Sequence, residues 1–155
     1  MSYSIRRATP ADAAVVAANN AALARETEAK ELDPATLAAG VRAVLADPAK
    51  GVYTVAEQGG EVVGQVMLTY EWSDWRNGWF WWVQSVYVRP DARRGGVFRV
   101  LFADILARAA ADPGVIGVRL YMEPGNDRAR ATYRSLGLAE AGYEVFELYP
   151  LPGRV

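Results

Sequence analysis

The sequence predicts one α/β domain over residues 1–155, with helices flanking a mixed central sheet in the order βααβββαβαβ. Three observations support this fold class. The chain has 155 residues, of which 52% are hydrophobic, enough for one sizeable core. Apolar residues recur at helical spacing in some segments and at strand spacing in others. Proline and glycine separate these segments, and we find no repeat or linker.

The first elements are a short strand and two helices. Ser4 to Arg7 form a predicted strand, and Thr9-Pro10 then opens a helix as N-cap and first helical residue. Asp33-Pro34 opens a second helix in the same way. Its apolar residues recur at helical spacing, and it is expected to end by Pro48.

Three strands are predicted next. Residues 52–57 and 61–70 form a hairpin around Gly59-Gly60. A loop over residues 71–78 leads to a strand over residues 79–88, which is apolar on both faces and therefore expected in the centre of the sheet.

A helix, a strand, a second helix and a last strand complete the prediction. The apolar stripe from Phe98 to Ala109 indicates the first helix, and residues 115–122 the strand. Asn126 caps the second helix, which Gly137 closes. Residues 142–149 are predicted to form the final strand.

The composition excludes several kinds of chemistry. The chain has no cysteine and no histidine, so it has no disulfide, thiol nucleophile, histidine-dependent triad or Cys/His zinc site. We expect no metal cofactor. The net charge of -1 gives no field that would attract nucleic acid or an anionic membrane. Without a signal peptide or an apolar span, a cytoplasmic location is expected.

A basic, glycine-containing loop stands between the predicted central strand and the helix after it. The strand ends in Val88-Arg89-Pro90, and Arg93-Arg94-Gly95-Gly96-Val97-Phe98 follows. Glycines allow a phosphate to approach the backbone, and a helix N-terminus presents free N–H groups. The local charge of +3 comes from Arg89, Arg93, Arg94 and Arg99, less Asp91. The alternative is an ordinary strand-to-helix turn with solvated arginines.

With these two motifs and Asn126-Asp127-Arg128-Ala129, Tyr133 and Leu136-Gly137-Leu138, the sequence resembles the GCN5-related N-acetyltransferase family over essentially its whole length. The resemblance implies that the basic loop binds the pyrophosphate of acetyl-CoA. Phe98 departs from the family pattern, which has glycine or alanine there. We expect its ring to point into the core, so that cofactor binding survives.

The resemblance also implies a mechanism. The pantetheine arm would pair with the backbone near Val86 and Val88, where an N–H would polarise the thioester carbonyl. Tyr133 matches the family's general acid, and Asn126 would cap its helix and contact the cofactor arm. The alternative is that Tyr133 is a structural tyrosine of the core.

The general base stays open in the sequence. Glu71 is the first candidate, and a base acting through water is equally plausible. The other groups considered are Asp74, Glu123 and Ser85, the last of which could order that water.

Aromatic and acidic residues suggest an acceptor that is a cationic amine with an apolar portion. Trp72 and Trp75, beside Glu71 and Asp74, lie in the predicted loop and could face an organic cation. A second acidic cluster, expected across the cleft, consists of Glu26, Glu28, Glu31 and Asp33. Its alternative is a solvated helix end.

We therefore predict direct acetyl transfer from acetyl-CoA to a primary amine, either a small cationic amine or a peptide or protein amine. The first alternative is a non-catalytic acyl-CoA-binding or ligand-sensing domain on the same fold, and the second is a nucleotide-phosphate module. The aromatic residues between 70 and 82 could also form the interface of a homodimer.

Overall fold

The computed structural model describes residues 2–154, in two compact units. The first unit extends through Tyr121 and contains a sheet and three helices, and the second begins at Met122 and contains one helix. The strands are β1 (Ser4–Arg7), β2 (Val52–Gln58), β3 (Glu61–Ser73), β4 (Gly78–Val88) and β5 (Val115–Leu120). The helices are α1 (Ala13–Glu28), α2 (Pro34–Ala46), α3 (Val97–Ala111) and α4 (Asp127–Ser135).

The sheet of the first unit is mixed, as predicted. Its spatial order is β1-β2-β3-β4-β5; neighbouring strands are antiparallel up to β4, and β5 runs parallel to β4. The doubly apolar strand β4 therefore lies between β3 and β5, as predicted, and it also contacts α1 and α3.

Helix starts follow the sequence signals. Asp33 caps α2 by accepting a hydrogen bond from the Thr36 N–H at 2.8 Å. Ahead of α1, a short 3-10 turn over Pro10–Asp12 is closed by Asp12, whose carboxylate accepts from the Thr9 N–H at 2.7 Å. At each of these two starts, a carboxylate therefore accepts a hydrogen bond from a backbone N–H that would otherwise be unpaired.

The buried core lies within the first unit. In the described part of the chain, every buried side chain falls between Ala8 and Ile105. Leu101, Phe102 and Ile105 form the buried stripe of α3, each at most 1% exposed. No helix among residues 2–154 is long and apolar enough to cross a membrane.

The predicted loop between β3 and β4 is wrong in length. It was expected over residues 71–78, but β3 continues to Ser73 and β4 begins at Gly78, so only residues 74–77 turn. The reason is aromatic pairing across the two strands. The rings of Trp72 and Trp79 lie edge to face with centroids 5.0 Å apart, which extends the hairpin beyond its turn signals.

The predicted final strand over residues 142–149 is also wrong, because this segment forms no strand in the described chain. Glu144 and Glu147 are three residues apart and so place a charge on each face of a strand, leaving neither face fully apolar. Val145, Phe146 and Tyr149 are 68%, 94% and 84% exposed. Apolar residues alone do not form a strand, because a strand also needs a neighbouring strand to pair with.

Candidate active site

The site begins where β4 loses one of its neighbours. The ladder between β4 and β5 ends at the pair Val83 and Leu120, although β4 continues to Val88. In the part of the chain that the structure describes, the second half of β4 therefore pairs with β3 alone. Its other edge presents backbone groups to which an extended ligand could bond as an added strand. Val86 and Val88 lie in this open half.

A bulge interrupts β4 in the same half. Gln65 pairs with Tyr87 and Met67 pairs with Gln84, so Val66 alone faces two residues of β4, Ser85 and Val86. Ser85 has a φ of 50°, in the left-handed region that L-residues rarely adopt. Such a backbone costs about 1–3 kcal/mol and persists only where the surroundings hold it.

The bulge borders a cleft of about 260 Å³ between α1, α2 and β4. Ser85 lines this cleft, and so does Glu28 at the end of α1. The remaining lining residues are Asn20, Leu23, Ala24, Leu32 and Leu37. The cleft is therefore mainly apolar with one carboxylate, which suits a small organic cation with an apolar portion.

The basic loop leads into α3, as the sequence indicates. Gly96 is the N-cap of α3 with a φ of 83°, which glycine adopts without strain. The first intrahelical hydrogen bond is donated by Val100 to the Gly96 carbonyl, so the N–H groups of Val97, Phe98 and Arg99 precede it. Such N–H groups and the helix dipole favour an anion at this end.

Two of the four loop arginines are held by carboxylates. Arg93 donates from Nη2 to Glu26 Oε2 at 2.5 Å and from Nε to the Val88 carbonyl at 2.9 Å. Arg89 pairs with Asp91 at 2.6 Å and with Glu61 at 3.0 Å. Arg93 therefore ties α1 to the end of β4, and Glu26 lies against the loop. Among the described residues, no side-chain hydrogen bond or ion pair engages the guanidinium of Arg94 or Arg99.

Phe98 departs from the family pattern without filling the loop. Its ring packs against Phe102, with centroids 5.7 Å apart, and the side chain is half-buried. Val97, beside it, is 1% exposed and contributes to the core. Of the side chains at the start of α3, those of Val97 and Phe98 thus pack inward, whereas Arg99 and Val100 are exposed.

Two predicted site residues lie in the second unit. Asn126 caps α4 by accepting a hydrogen bond from the Ala129 N–H at 3.0 Å, as predicted. Tyr133 is half-buried on α4, and burial raises the pKa of its hydroxyl above the ordinary value near 10. The hydroxyl is therefore protonated at neutral pH, as a proton donor must be.

The predicted acceptor residues of the β3–β4 hairpin do not meet the bulge. A strand rises about 3.3 Å per residue, so Phe80, the partner of Glu71, lies roughly 16 Å from Ser85 along β4. Glu71 also accepts a hydrogen bond from Arg119 at 2.7 Å. Trp72, Asp74 and Trp75 lie farther out, at the end of the hairpin. Glu71 and this aromatic group therefore lie away from the bulge, and their roles as base and acceptor site stay predictions.

Sequence reasoning missed Gln65, which is fully buried and donates a hydrogen bond to the Ser85 carbonyl at 3.2 Å. A signal was present, because Gln65 is the one amide in the apolar run from Val62 to Leu68. A buried polar side chain has to be hydrogen-bonded, so such a residue marks a polar network inside the sheet.

One known protein family matches most of the chain. The family model described as "Acetyltransferase (GNAT) family" matches residues 16–138. The chain is 47% identical to a possible acetyltransferase from Clostridium difficile 630, with a TM-score of 0.89, covering 94% of this chain and 96% of that one. No curated protein matches the chain significantly.

More distant structures share the fold. A ribosomal-protein-alanine N-acetyltransferase from Brucella melitensis biovar Abortus 2308 is 20% identical, with a TM-score of 0.75 and coverage of 95% and 98% of the two chains. A predicted acetyltransferase with acetyl-CoA from Clostridium acetobutylicum is 16% identical, with a TM-score of 0.76 and coverage of 95% and 96%.

An open β4 edge, a bulge and a glycine loop at a helix N-terminus form a site that can bind an extended ligand with a phosphate group. The family match over residues 16–138 makes the assignment specific: this chain belongs to the GCN5-related N-acetyltransferase (GNAT) family. It is an N-acetyltransferase enzyme.

Proposed function

We propose that the enzyme moves an acetyl group directly from acetyl-CoA to a primary amine that carries an apolar portion. The observation that carries this proposal is the bulge at Ser85 on the open half of β4, which a glycine loop and the start of α3 follow at once. This order matches the parts of acetyl-CoA: thioester, pantetheine arm and pyrophosphate.

The chemistry balances without a covalent enzyme intermediate. The lone pair of a neutral amine attacks the thioester carbon, and the carbonyl oxygen becomes an oxyanion that accepts a hydrogen bond from the Val86 N–H. The C–S bond then breaks as the carbonyl reforms. The amine nitrogen loses one proton, the CoA sulfur gains one, and the products are an amide and CoA.

Cofactor binding rests on the loop and on Arg94. The N–H groups of Gly96, Val97 and Phe98 lie at the positive end of α3, and we assign the pyrophosphate to them. The Gly95 N–H donates to the Ala92 carbonyl at 3.3 Å, so Gly95 contributes by leaving space at the loop. Arg94 is exposed and supplies the cation, while Arg93 acts by holding the loop to α1. The acetyl-CoA named with the Clostridium acetobutylicum structure supports this cofactor.

Tyr133 is assigned as the acid that protonates the departing thiolate, on the resemblance of its motif and on its raised pKa.

We also propose that both compact units serve one N-acetyltransferase domain over residues 1–155. The family model supports this, because its match crosses the boundary at residues 121 and 122.

The acceptor is assigned to the cleft beside Ser85. Its leucine side chains suit an apolar group, and Glu28 suits an ammonium group that must lose a proton before attack. The fold is shared with the Brucella ribosomal-protein-alanine N-acetyltransferase and with an aminoglycoside acetyltransferase from an uncultured soil metagenomic sample, which supports an amine acceptor. A cytoplasmic location and a homodimer stay predictions.

Calorimetric titration of the purified protein with acetyl-CoA, with ATP as the competing phosphate ligand, tests the cofactor. We expect binding of acetyl-CoA but not of ATP, and weaker binding by Arg94→Gln than by the control Arg42→Gln, an exposed arginine on α2. Turnover of an amine panel then separates catalysis from the alternative. Binding without any turnover would favour a non-catalytic acyl-CoA-binding domain, and absence of binding would contradict the proposal.

A further inference from the structure

A buried polar network connects α1 to the bulge of β4. At its centre is Gln65 of β3, whose side chain is 0% exposed. Its Oε1 accepts from Asn19 Nδ2 at 3.0 Å, and its Nε2 donates to Asn20 Oδ1 at 2.9 Å and to the Ser85 carbonyl at 3.2 Å. Asn20 Nδ2 donates in turn to the Tyr53 hydroxyl at 3.0 Å. The carboxamide of Gln65 is thus fixed from both ends.

The bond to Ser85 determines how one peptide unit is oriented. The Ser85–Val86 peptide is trans, so its carbonyl and its N–H point in opposite directions. Gln65 draws the carbonyl toward β3 and α1. The N–H of Val86 therefore points away from the Gln65 carboxamide, on a part of β4 whose other edge is left open by β5 beyond Val83.

The bulge needs such an anchor because its backbone is unfavourable in isolation. Ser85 is not a glycine and yet has a φ of 50°, so a regular strand conformation would have a lower backbone free energy. A side chain that donates to its carbonyl from the buried side stabilises the bulged form relative to the straight one. The network thereby couples the position of α1 to the direction of the Val86 N–H.

We propose that Gln65 is a positioning residue for acetyl transfer, which holds the Ser85 carbonyl so that the Val86 N–H faces the oxyanion. The inference rests on the proposed function, because it assigns the thioester oxygen to that N–H. A preorganised donor accelerates reaction only if its direction is fixed before the charge develops. Gln65 does not itself touch the substrate.

Gln65→Met tests the inference, since methionine has a similar length and no donor. We expect kcat to fall about tenfold to 100-fold while the Kd for CoA, which lacks the acetyl carbonyl, stays within twofold. The matched control is Tyr53→Phe, which removes a hydrogen bond from the same buried network but none at Ser85. It is expected to lower Tm and leave kcat unchanged.

The outcomes separate this inference from the proposed function. If the wild type neither binds acetyl-CoA nor acetylates an amine, the proposed function fails first. If the wild type is active and Gln65→Met keeps its kcat, or loses no more than Tyr53→Phe, the positioning role is overturned and the function stands. Should Gln65→Met not fold, Gln65→Asn is measured instead, because its shorter side chain cannot reach both Asn20 and the Ser85 carbonyl. The same kcat criterion applies.

Discussion

Arg6 and Asp12 form a bidentate ion pair in the first unit. Arg6 Nη1 and Nη2 donate to the two carboxylate oxygens of Asp12 at 2.8 and 2.9 Å, and Arg6 also pairs with Glu57 at 2.5 Å. Asp12 is 7% exposed. The hydrogen bonds from Arg6 lower the pKa of this carboxyl from 3.8 to about 2. Asp12 is therefore more acidic in the folded than in the unfolded chain, so its ionisation favours folding.

We expect Asp12→Asn to lower the free energy of unfolding by about 2 kcal/mol at pH 7, since one pKa unit corresponds to about 1.4 kcal/mol. A depressed folded pKa stabilises above pH 4, and that contribution is lost as the pH falls toward 2. The difference from wild type should therefore vanish in that window. Urea unfolding at pH 7, 4 and 2.5 measures it.

Asp47→Asn is the control for this comparison, because Asp47 pairs with Lys50 at 2.8 Å on the exposed surface. Solvent screens such a pair, so its loss should change stability far less. Equal losses in the two variants would show that burial of Asp12 does not strengthen its ion pair.

For Tyr133, we expect Tyr133→Phe to lower kcat by roughly 100-fold or more, as loss of a general acid does, with little change in the Kd for acetyl-CoA. Because burial raises the pKa of Tyr133, any loss of kcat from its ionisation should come at a higher pH than for an ordinary tyrosine. Steady-state kinetics and calorimetry measure the two quantities. Tyr143→Phe, at a tyrosine that is 68% exposed, is the control. Parallel loss of kcat and affinity would indicate a structural tyrosine.

At the scale of elements, the contact between β3 and α3 fixes the start of that helix. A Cβ on Gly64 would lie 2.6 Å from Val97 Cγ1 and 3.5 Å from Leu101 Cδ1. Val97 is 1% exposed and β-branched, so its side chain has little freedom to turn aside. The absence of a side chain at Gly64 thus allows α3, with the loop N–H groups at its start, to pack directly on the sheet.

Gly64→Ala should therefore cost about 1–3 kcal/mol of stability, as other overpacked cores do. Gly40→Ala should instead stabilise by about 0.5–1 kcal/mol, since nothing lies within 4 Å of a Cβ there and alanine favours the interior of α2. Thermal unfolding of both variants measures the contrast. Adding Val97→Ala to Gly64→Ala should recover part of the loss. If Gly64→Ala left the stability unchanged, α3 would be able to shift away from the sheet without loss of stability.

Sequence patterns predicted the elements of the first unit because local rules governed them. The caps at Asp33 and the glycine loop before α3 depend on neighbouring residues, and both were identified correctly. The length of the β3–β4 hairpin depends on Trp72 meeting Trp79, a contact between strands that no local window contains. The strand expected over 142–149 failed for the same reason, since a strand exists only with a partner.

The same limit applied to the site. The basic loop was found from the sequence because glycines, arginines and a helix start lie within one segment. The bulge at Ser85 was not, because it arises from the register of β3 against β4 and from Gln65, twenty positions away in sequence. The sequence also did not show how far Glu71 and the tryptophans lie from the bulge, because that distance follows from the length of the strands, at about 3.3 Å per residue.

At the scale of the whole molecule, apolar composition and burial are distributed unequally along the chain. Within residues 2–154, the buried side chains end at Ile105, whereas apolar residues continue to Leu151. Tyr143, Val145, Phe146, Leu148 and Tyr149 are all at least 68% exposed. Hydrophobic burial contributes in proportion to the area removed from water, so these residues contribute little to folding.

Two phenylalanines test this distribution directly. Phe102→Ala should lower the free energy of unfolding by about 3–5 kcal/mol, because its ring is 1% exposed and its removal leaves a cavity. Phe146→Ala should change it by no more than about 0.5 kcal/mol, because its ring is 94% exposed. Urea unfolding of the two variants at one pH measures both, and Phe102→Leu replaces the alanine variant if that does not fold. A loss above about 1 kcal/mol at Phe146 would mean that residues 142–149 pack against an ordered partner in solution, as a paired strand would.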